Sequence, residues 1–374
     1  MKGRPASRSG IRGQVLILAV LVLGLCCTLL LGLFTVSAAV QQKIRLQLTA
    51  DMAVLSVLNH QANTLNSIAL ANRAILANDA LAAQLNALSC ESRFYRRFVE
   101  KFQKYLKFVP YVGPALTFIS QGARSMELLV KRSASLILPF CRGANSLLGR
   151  SQQFIRKLLP LNSLKVAQRS IEENMPGSEM PAPGKLLLLT KARQIQKSLE
   201  PIPMEKAAAV RRATMDSHTL KRNWRVSVGG FSPIKKTGGL NIPTGDLQAQ
   251  DKLRIKVFKR LRWRWKTALS EKNLASDLGY KAPERIISLN RGKNTEFTLP
   301  LALQWNFSGE LFGEIDERNF LALSAGRLFY HRESHPEEQP NVFNPFWKTQ
   351  LIPVASEPTA KKIVPKMILE EIRH

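Results

Sequence analysis

The sequence predicts an α+β fold. An N-terminal transmembrane helix continues into a long amphipathic helix, a helical middle follows, and the C-terminal region mixes antiparallel sheet with helix. Three observations carry this. Residues 14–40, QVLILAVLVLGLCCTLLLGLFTVSAAV, contain no charge. Gly and Pro are absent from Gln41 to Val109, while apolar residues recur by threes and fours. From about residue 222 the apolar period changes to two, the period of a strand. The chain divides into a basic tail (1–13), a span (14–40), a helical region (41–170), a Pro- and Gly-containing linker (171–204) and an α+β domain (205–374).

The uncharged run exceeds the roughly 20 residues that a bilayer core of about 30 Å requires. It is also longer than the apolar part of a cleaved signal, about 7–15 residues. Lys2, Arg4, Arg8 and Arg12 precede it, and Lys43 and Arg45 follow. This bias places the N-terminus in the cytoplasm and nearly all the rest outside, as a single-pass membrane protein. The whole chain has 55 Lys and Arg against 27 Asp and Glu. With four bases before the span, the outer part carries +24. Such a charge predicts an anionic partner. The outside location disfavours nucleic acid and favours anionic lipid, lipopolysaccharide, another anionic envelope polymer or acidic proteins.

Cys26 and Cys27 lie in the span. Cys90 and Cys141 lie outside it, where an oxidising compartment permits a disulfide between them. Two buried free thiols are the alternative.

Along the helix after the span, Leu48, Met52, Leu55, Ala62, Ala69 and Leu76 form a stripe. Leu58, Leu65, Ile68 and Ile75 widen it. Leu55, Leu58, Leu65, Asn66 and Ile68 are therefore the expected contacts with partner helices. Asn59 and Asn66 fall on the stripe, where buried amides specify register or partner; exposure on a splayed helix is the other reading. Phe94, Phe98, Phe102 and Leu106 repeat at four-residue spacing. Pro110, Gly113 and Pro114 predict a break, and Pro139 to Gly143 predict a turn between two further helices. Residues 171–184 read as a loop, and short helices are expected near 185–199 and 205–218.

In the second half, residues 224–228 alternate, and Gly229, Gly230, Gly238 and Gly239 predict turns. Residues 252–266, KLRIKVFKRLRWRWK, place apolar side chains on odd positions and bases on even ones, with a break at Phe258 and Lys259. One long strand or two result, with Trp263 and Trp265 in the core beneath a cationic face. Arg254, Lys256, Arg260, Arg262 and Arg264 are the candidate anion-binding residues, either as a site or as a solvated face. Residues 296–307 suit a strand, and residues 320–332 suit a helix. His331 and His335 have i, i+4 spacing but lack the HExxH arrangement, and Pro336 follows at once; they predict a loop and no metal site. No GxSxG, P-loop, GxGxxG or CxxC motif is present. The expectation is a protein that is not an enzyme and takes no cofactor. The basic tail before the apolar run suggests a pilin leader cleaved after Gly13, but Leu18 stands where a pilin carries Glu.

Arg12-Gly13-Gln14, Ala50-Asp51, Leu65-Asn66 and Ala71-Asn72-Arg73 resemble the N-terminal region of TadE/TadG-like proteins. Residues 320–354, including Asn344-Pro345-Phe346-Trp347, resemble the C-terminal part of the same family. The family's longer members carry an Asp-x-Ser-x-Ser metal motif that this chain lacks. The resemblance implies a bacterial inner-membrane protein of a tight-adherence (Flp-type) pilus or related secretion assembly, with its bulk in the periplasm. It implies other membrane proteins of that machine as partners. A membrane-tethered binder of anionic polymer is the alternative function.

Overall fold

The run without Gly or Pro is continuous with the apolar segment before it in one helix, α1 (Ser9–Leu106), of 98 residues. At 1.5 Å per residue it is about 147 Å long. The computed structural model describes residues 9–106, 108, 112–228, 231–242, 246–259, 262–283, 286–290, 296–311 and 314–354. Side chains from 16 to 34 are all exposed, and this apolar stretch is long enough to cross a membrane. From Leu46 onward α1 enters the core.

The second long helix, α2 (Val112–Asn174), returns along α1. Gln103 meets Thr117, Glu100 meets Arg124, Asn78 meets Asn145, Gln61 meets Ser163 and Ser56 meets Ser170. Residue numbers fall on α1 as they rise on α2, so the two form one antiparallel hairpin with a constant register. The turn expected at Pro139–Gly143 does not form, because α2 continues through Pro139 and Pro160. Proline interrupts a helix by losing a donor. Here Leu138 and Cys141 on either side are buried, which holds the local helix in place.

The expected linker at 171–204 is instead part of the core. Met175, Met180, Leu188 and Ile195 are buried in the same cluster as Leu58 and Leu65. Irregular backbone there is confined to the segment between α2 and α3 (Ala182–Ser198) and to residues 202–203. After α3 come β1 (Leu199–Pro201), α4 (Met204–Ala213) and α5 (Ser217–Leu220), then β2 (Trp224–Val228), β3 (Phe231–Asn241), β4 (Gln248–Lys259) and β5 (Arg262–Leu274). Last are β6 (Ile287–Leu289), β7 (Phe297–Leu311), β8 (Glu314–Tyr330) and β9 (Trp347–Ile352). Among the described residues they form three antiparallel sheets: β1-β6, β2-β3-β4-β5 and β7-β8-β9. The α+β class is as predicted. Gly238 and Gly239 lie inside β3 rather than at turns. Gly238 stands opposite Asp251 in the ladder, and a side chain there would overlap that carboxylate.

The three-stranded sheet packs near the start of the buried part of α1, and the four-stranded sheet near its end. Leu46 to Ile68 cluster with Leu299, Leu301, Leu303, Ala322 and Leu328. Phe94 clusters with Leu253 and Leu269. The helix expected at 320–332 is strand β8. Its buried face reads Ala322, Ser324, Gly326 and Leu328. Small residues there let α1 lie close on the sheet, and the same small residues suggest a helix when read by composition. A methyl group on Gly326 would come within 2.5 Å of the Leu58 side chain and 2.8 Å of Val54. Gly326→Ala should therefore destabilise the protein by about 1–3 kcal/mol. A lowered thermal midpoint in detergent checks this.

Candidate assembly face and cationic hairpin

α2 has two apolar faces. One holds Ala134, Leu138, Cys141, Asn145, Gln152 and Leu159, all buried. The other repeats every seven residues: Val112, Ile119, Met126, Ser133, Phe140, Leu147, Phe154 and Leu161. Leu129 and Leu136 form a second line beside it. These side chains are uncovered, with Leu136 and Phe140 each 76% exposed and Leu147 70%. A seven-residue apolar repeat is the pattern by which helices pack side by side. Sequence reasoning missed this face because it looked for the partner seam on the preceding helix. The repeat itself was the available signal.

The seam expected on α1 is occupied from within the chain. Leu58, Leu65 and Ile68 are fully buried against the chain's own sheet and helices, and Leu55 is half-buried. Leu58, Leu65 and Ile68 are closed to an outside helix in this fold. Asn66 does specify register, but for a strand: its Nδ2 donates to Trp347 O at 3.2 Å, and Trp347 N donates to its Oδ1 at 3.0 Å. Asn59 is exposed and accepts from Thr349 at 2.6 Å. The Asn344-Pro345-Phe346-Trp347 segment is held by a polar knot on Glu338. Burial works to raise that carboxyl, yet hydrogen bonds from Arg332, Tyr330, Asn344 and Asn341 prevail and hold it at about 2.

The basic segment is a hairpin of two strands, β4 and β5. Arg254 and Lys256 are half-buried and Arg264 is exposed. Arg262 opens β5, and Arg260 lies outside the described residues. The tryptophans are not core residues. Trp263 is 55% exposed and packs edge-on against exposed Phe258 across the ladder, centroids 5.3 Å apart. Trp265 is half-buried, with Lys235 Nζ 4.3 Å and Lys256 Nζ 5.4 Å from its ring. The alternation fails as a burial guide because this end of the hairpin extends past the helix that would cover it. The hairpin's base sits on Phe94 and Phe98, and Lys101 donates to Ala268 O at 2.6 Å. Residue 94 is 54 residues beyond residue 40, or about 81 Å along the helix axis. The cationic face is thus far from the apolar segment.

Two buried ionic clusters fix the far half of the hairpin. Arg211 Nε donates to Asp79 Oδ2 at 2.7 Å, and both side chains are closed to solvent. Tyr280 and Asn145 also donate to Asp79. Burial raises the Asp79 carboxyl, and Arg211 opposes that rise. In the second cluster, Lys236 Nζ lies 2.6 Å from Glu91 and 3.5 Å from Asp251, and Arg222 is 3.0 Å from Asp251. These groups neutralise one another within the core.

The expected Cys90–Cys141 disulfide is absent; both are buried free thiols. Cys90 lies beside Asp251, and Cys141 is within the influence of Asp79. Residues 79 and 90 are about 16 Å apart on α1, whereas bridged Cα atoms lie within about 7 Å. Burial pushes both thiols up, Cys90 strongly and with help from the Asp251 charge. Among the described residues no group of three or more His, Cys, Asp or Glu is arranged to hold a metal ion.

No family model, curated protein or solved structure matches this chain.

Removing Arg211 would leave the Asp79 carboxylate buried without its counter-charge. Arg211→Ala should cost about 3–5 kcal/mol. The paired change Asp79→Leu with Arg211→Met should cost clearly less. Chemical denaturation of the purified variants measures both.

Proposed function

We propose that this chain is a non-enzymatic, single-pass inner-membrane component of a bacterial tight-adherence (Flp-type) pilus or related secretion assembly, with its bulk in the periplasm. It acts by packing helices with partner membrane proteins. The observation that carries the reading is the uncovered seven-residue apolar repeat on α2. A face of this kind, held along a rigid helical hairpin, suits lateral contact with another elongated protein. The exposed apolar start of α1 supports the membrane anchor, and the basic tail supports a cytoplasmic N-terminus. The TadE/TadG-like segments supply the choice of machine. The buried carboxylates engaged by Arg211, Lys236 and Arg222 favour a structural role over acid/base chemistry.

A second reading is favoured by the exposure of Trp263 and Arg264 at the hairpin. Arginine forks and aromatic faces together suit an anionic envelope polymer. One experiment separates the two. The chain is recovered from solubilised membranes at low and high salt, and co-purifying material is identified by mass spectrometry. The assembly reading expects a protein partner that survives high salt and is lost with Leu136→Asp, Phe140→Asp and Leu147→Asp together. Retention of every protein partner by that variant overturns it. Capture of polyanion that vanishes at high salt, and with Arg254→Glu and Arg264→Glu, moves the assignment to the hairpin.

A further inference from the structure

We propose that the outer face of α2 packs against α1 of a second copy of this chain, standing beside it in the same membrane. The inference rests on the reading of that face as a packing surface and names its occupant. α1 bears a matching line at Leu81, Leu88, Tyr95 and Phe102, again every seven residues. All four are exposed, between 39% and 43%. This line is distinct from the α1 positions that meet α2 within the chain, such as Asn72, Asn78 and Glu100.

The register of the hairpin sets the heights of the two lines. Asn78 is level with Asn145. Counting along both helices, Phe140 is level with residue 83, Ser133 with 90, Met126 with 97 and Ile119 with 104. Leu81, Leu88, Tyr95 and Phe102 each lie two residues, or about 3 Å, from those levels. Two copies at the same height therefore bring Phe140 to Leu81, Ser133 to Leu88, Met126 to Tyr95 and Ile119 to Phe102. The helices meet antiparallel, as α1 and α2 already do inside one chain.

Other occupants fit less well. A parallel pairing of α2 with α2 would set Arg150 against Arg150 and Lys157 against Lys157 on the second line. An antiparallel pairing of α2 with α2 would point the two apolar N-terminal helices in opposite directions. A bilayer surface would lie across the face, whereas the face runs alongside the helix that enters the bilayer. The α1–α2 contact is head-to-tail: each copy offers one face and receives on another. Such a contact closes into a ring or extends as a row.

The test uses the full chain with Cys26→Ala and Cys27→Ala, in membranes. Two differently tagged copies are made together, one with Leu81→Cys and one with Phe140→Cys, and oxidised with copper phenanthroline. The expected result is a disulfide-linked dimer carrying both tags. Moving the second cysteine by one repeat, to Leu147→Cys, should lower its yield at least fivefold. Linking between two Phe140→Cys chains in preference to the mixed pair would overturn the α1–α2 contact. No linking of either kind would overturn the second copy as occupant. If the triple Asp variant still sheds other protein partners in that case, the packing role of α2 stands and only its occupant changes. If it sheds none, the role itself falls.

Discussion

A row of amide side chains on α1 sets the position of nearly everything else. Gln47 donates to Leu323 O at 2.8 Å, Asn66 brackets the backbone of Trp347, and Asn72 donates to both Ile287 O and Val342 O at 2.8 Å. Further along, Asn78 meets Asn145 at 2.8 Å and Asn86 donates to Leu247 O at 2.7 Å. Their partners are drawn from β8, β9, β6, α2 and the segment before β4. Apolar burial holds these elements together but is indifferent to small shifts along a helix. A buried amide is not, because a shift of one residue leaves it unsatisfied at a cost of about 1–3 kcal/mol. The amides therefore turn a long apolar stripe into a ruler that each sheet reads at one height.

That ruler explains what the sequence disclosed. The unbroken run from Gln41 reported a helix correctly as far as Leu106, because nothing in it competes with helix. Asn66 was legible as a register residue, since an amide on an apolar stripe has few other uses, whereas Asn59 follows the other reading and is exposed. The partner of Asn66 was not legible, because hydrogen bonds to the backbone of Trp347, 281 residues away, leave no local trace. β8 was misread because its buried face is made of small residues, Ala322, Ser324 and Gly326, the last lying against Leu58 and Val54, and such a run resembles helix composition. Pro139 was misread for the opposite reason: a strong local signal yielded to the burial of Leu138 and Cys141. On the candidate site, the bases of the hairpin were found but the setting of its tryptophans was not. Period two says which side chains share a face; it does not say whether a helix covers that face.

The two surfaces left over stand at different places on the rod. The α2 face runs along its length, where neighbours anchored in one membrane would meet. The cationic hairpin sits about 80 Å beyond the apolar segment. A lateral contact and a distal contact can thus coexist without competing for the same side chains. The buried pairs around Asp79 and Asp251 lie beneath the far half and fix α4, α5 and the four-stranded sheet to α1.

The account depends on α1 remaining one straight helix as it runs through the folded part. The most direct measurement is the distance between spin labels at Leu48→Cys and Ala77→Cys, both exposed positions, in the full chain with Cys26→Ala and Cys27→Ala. Twenty-nine residues of unbroken helix predict a single narrow distribution near 44 Å. A broad distribution, or one centred well below about 38 Å, would show a hinge in α1 and contradict the fixed heights on which both surfaces are placed.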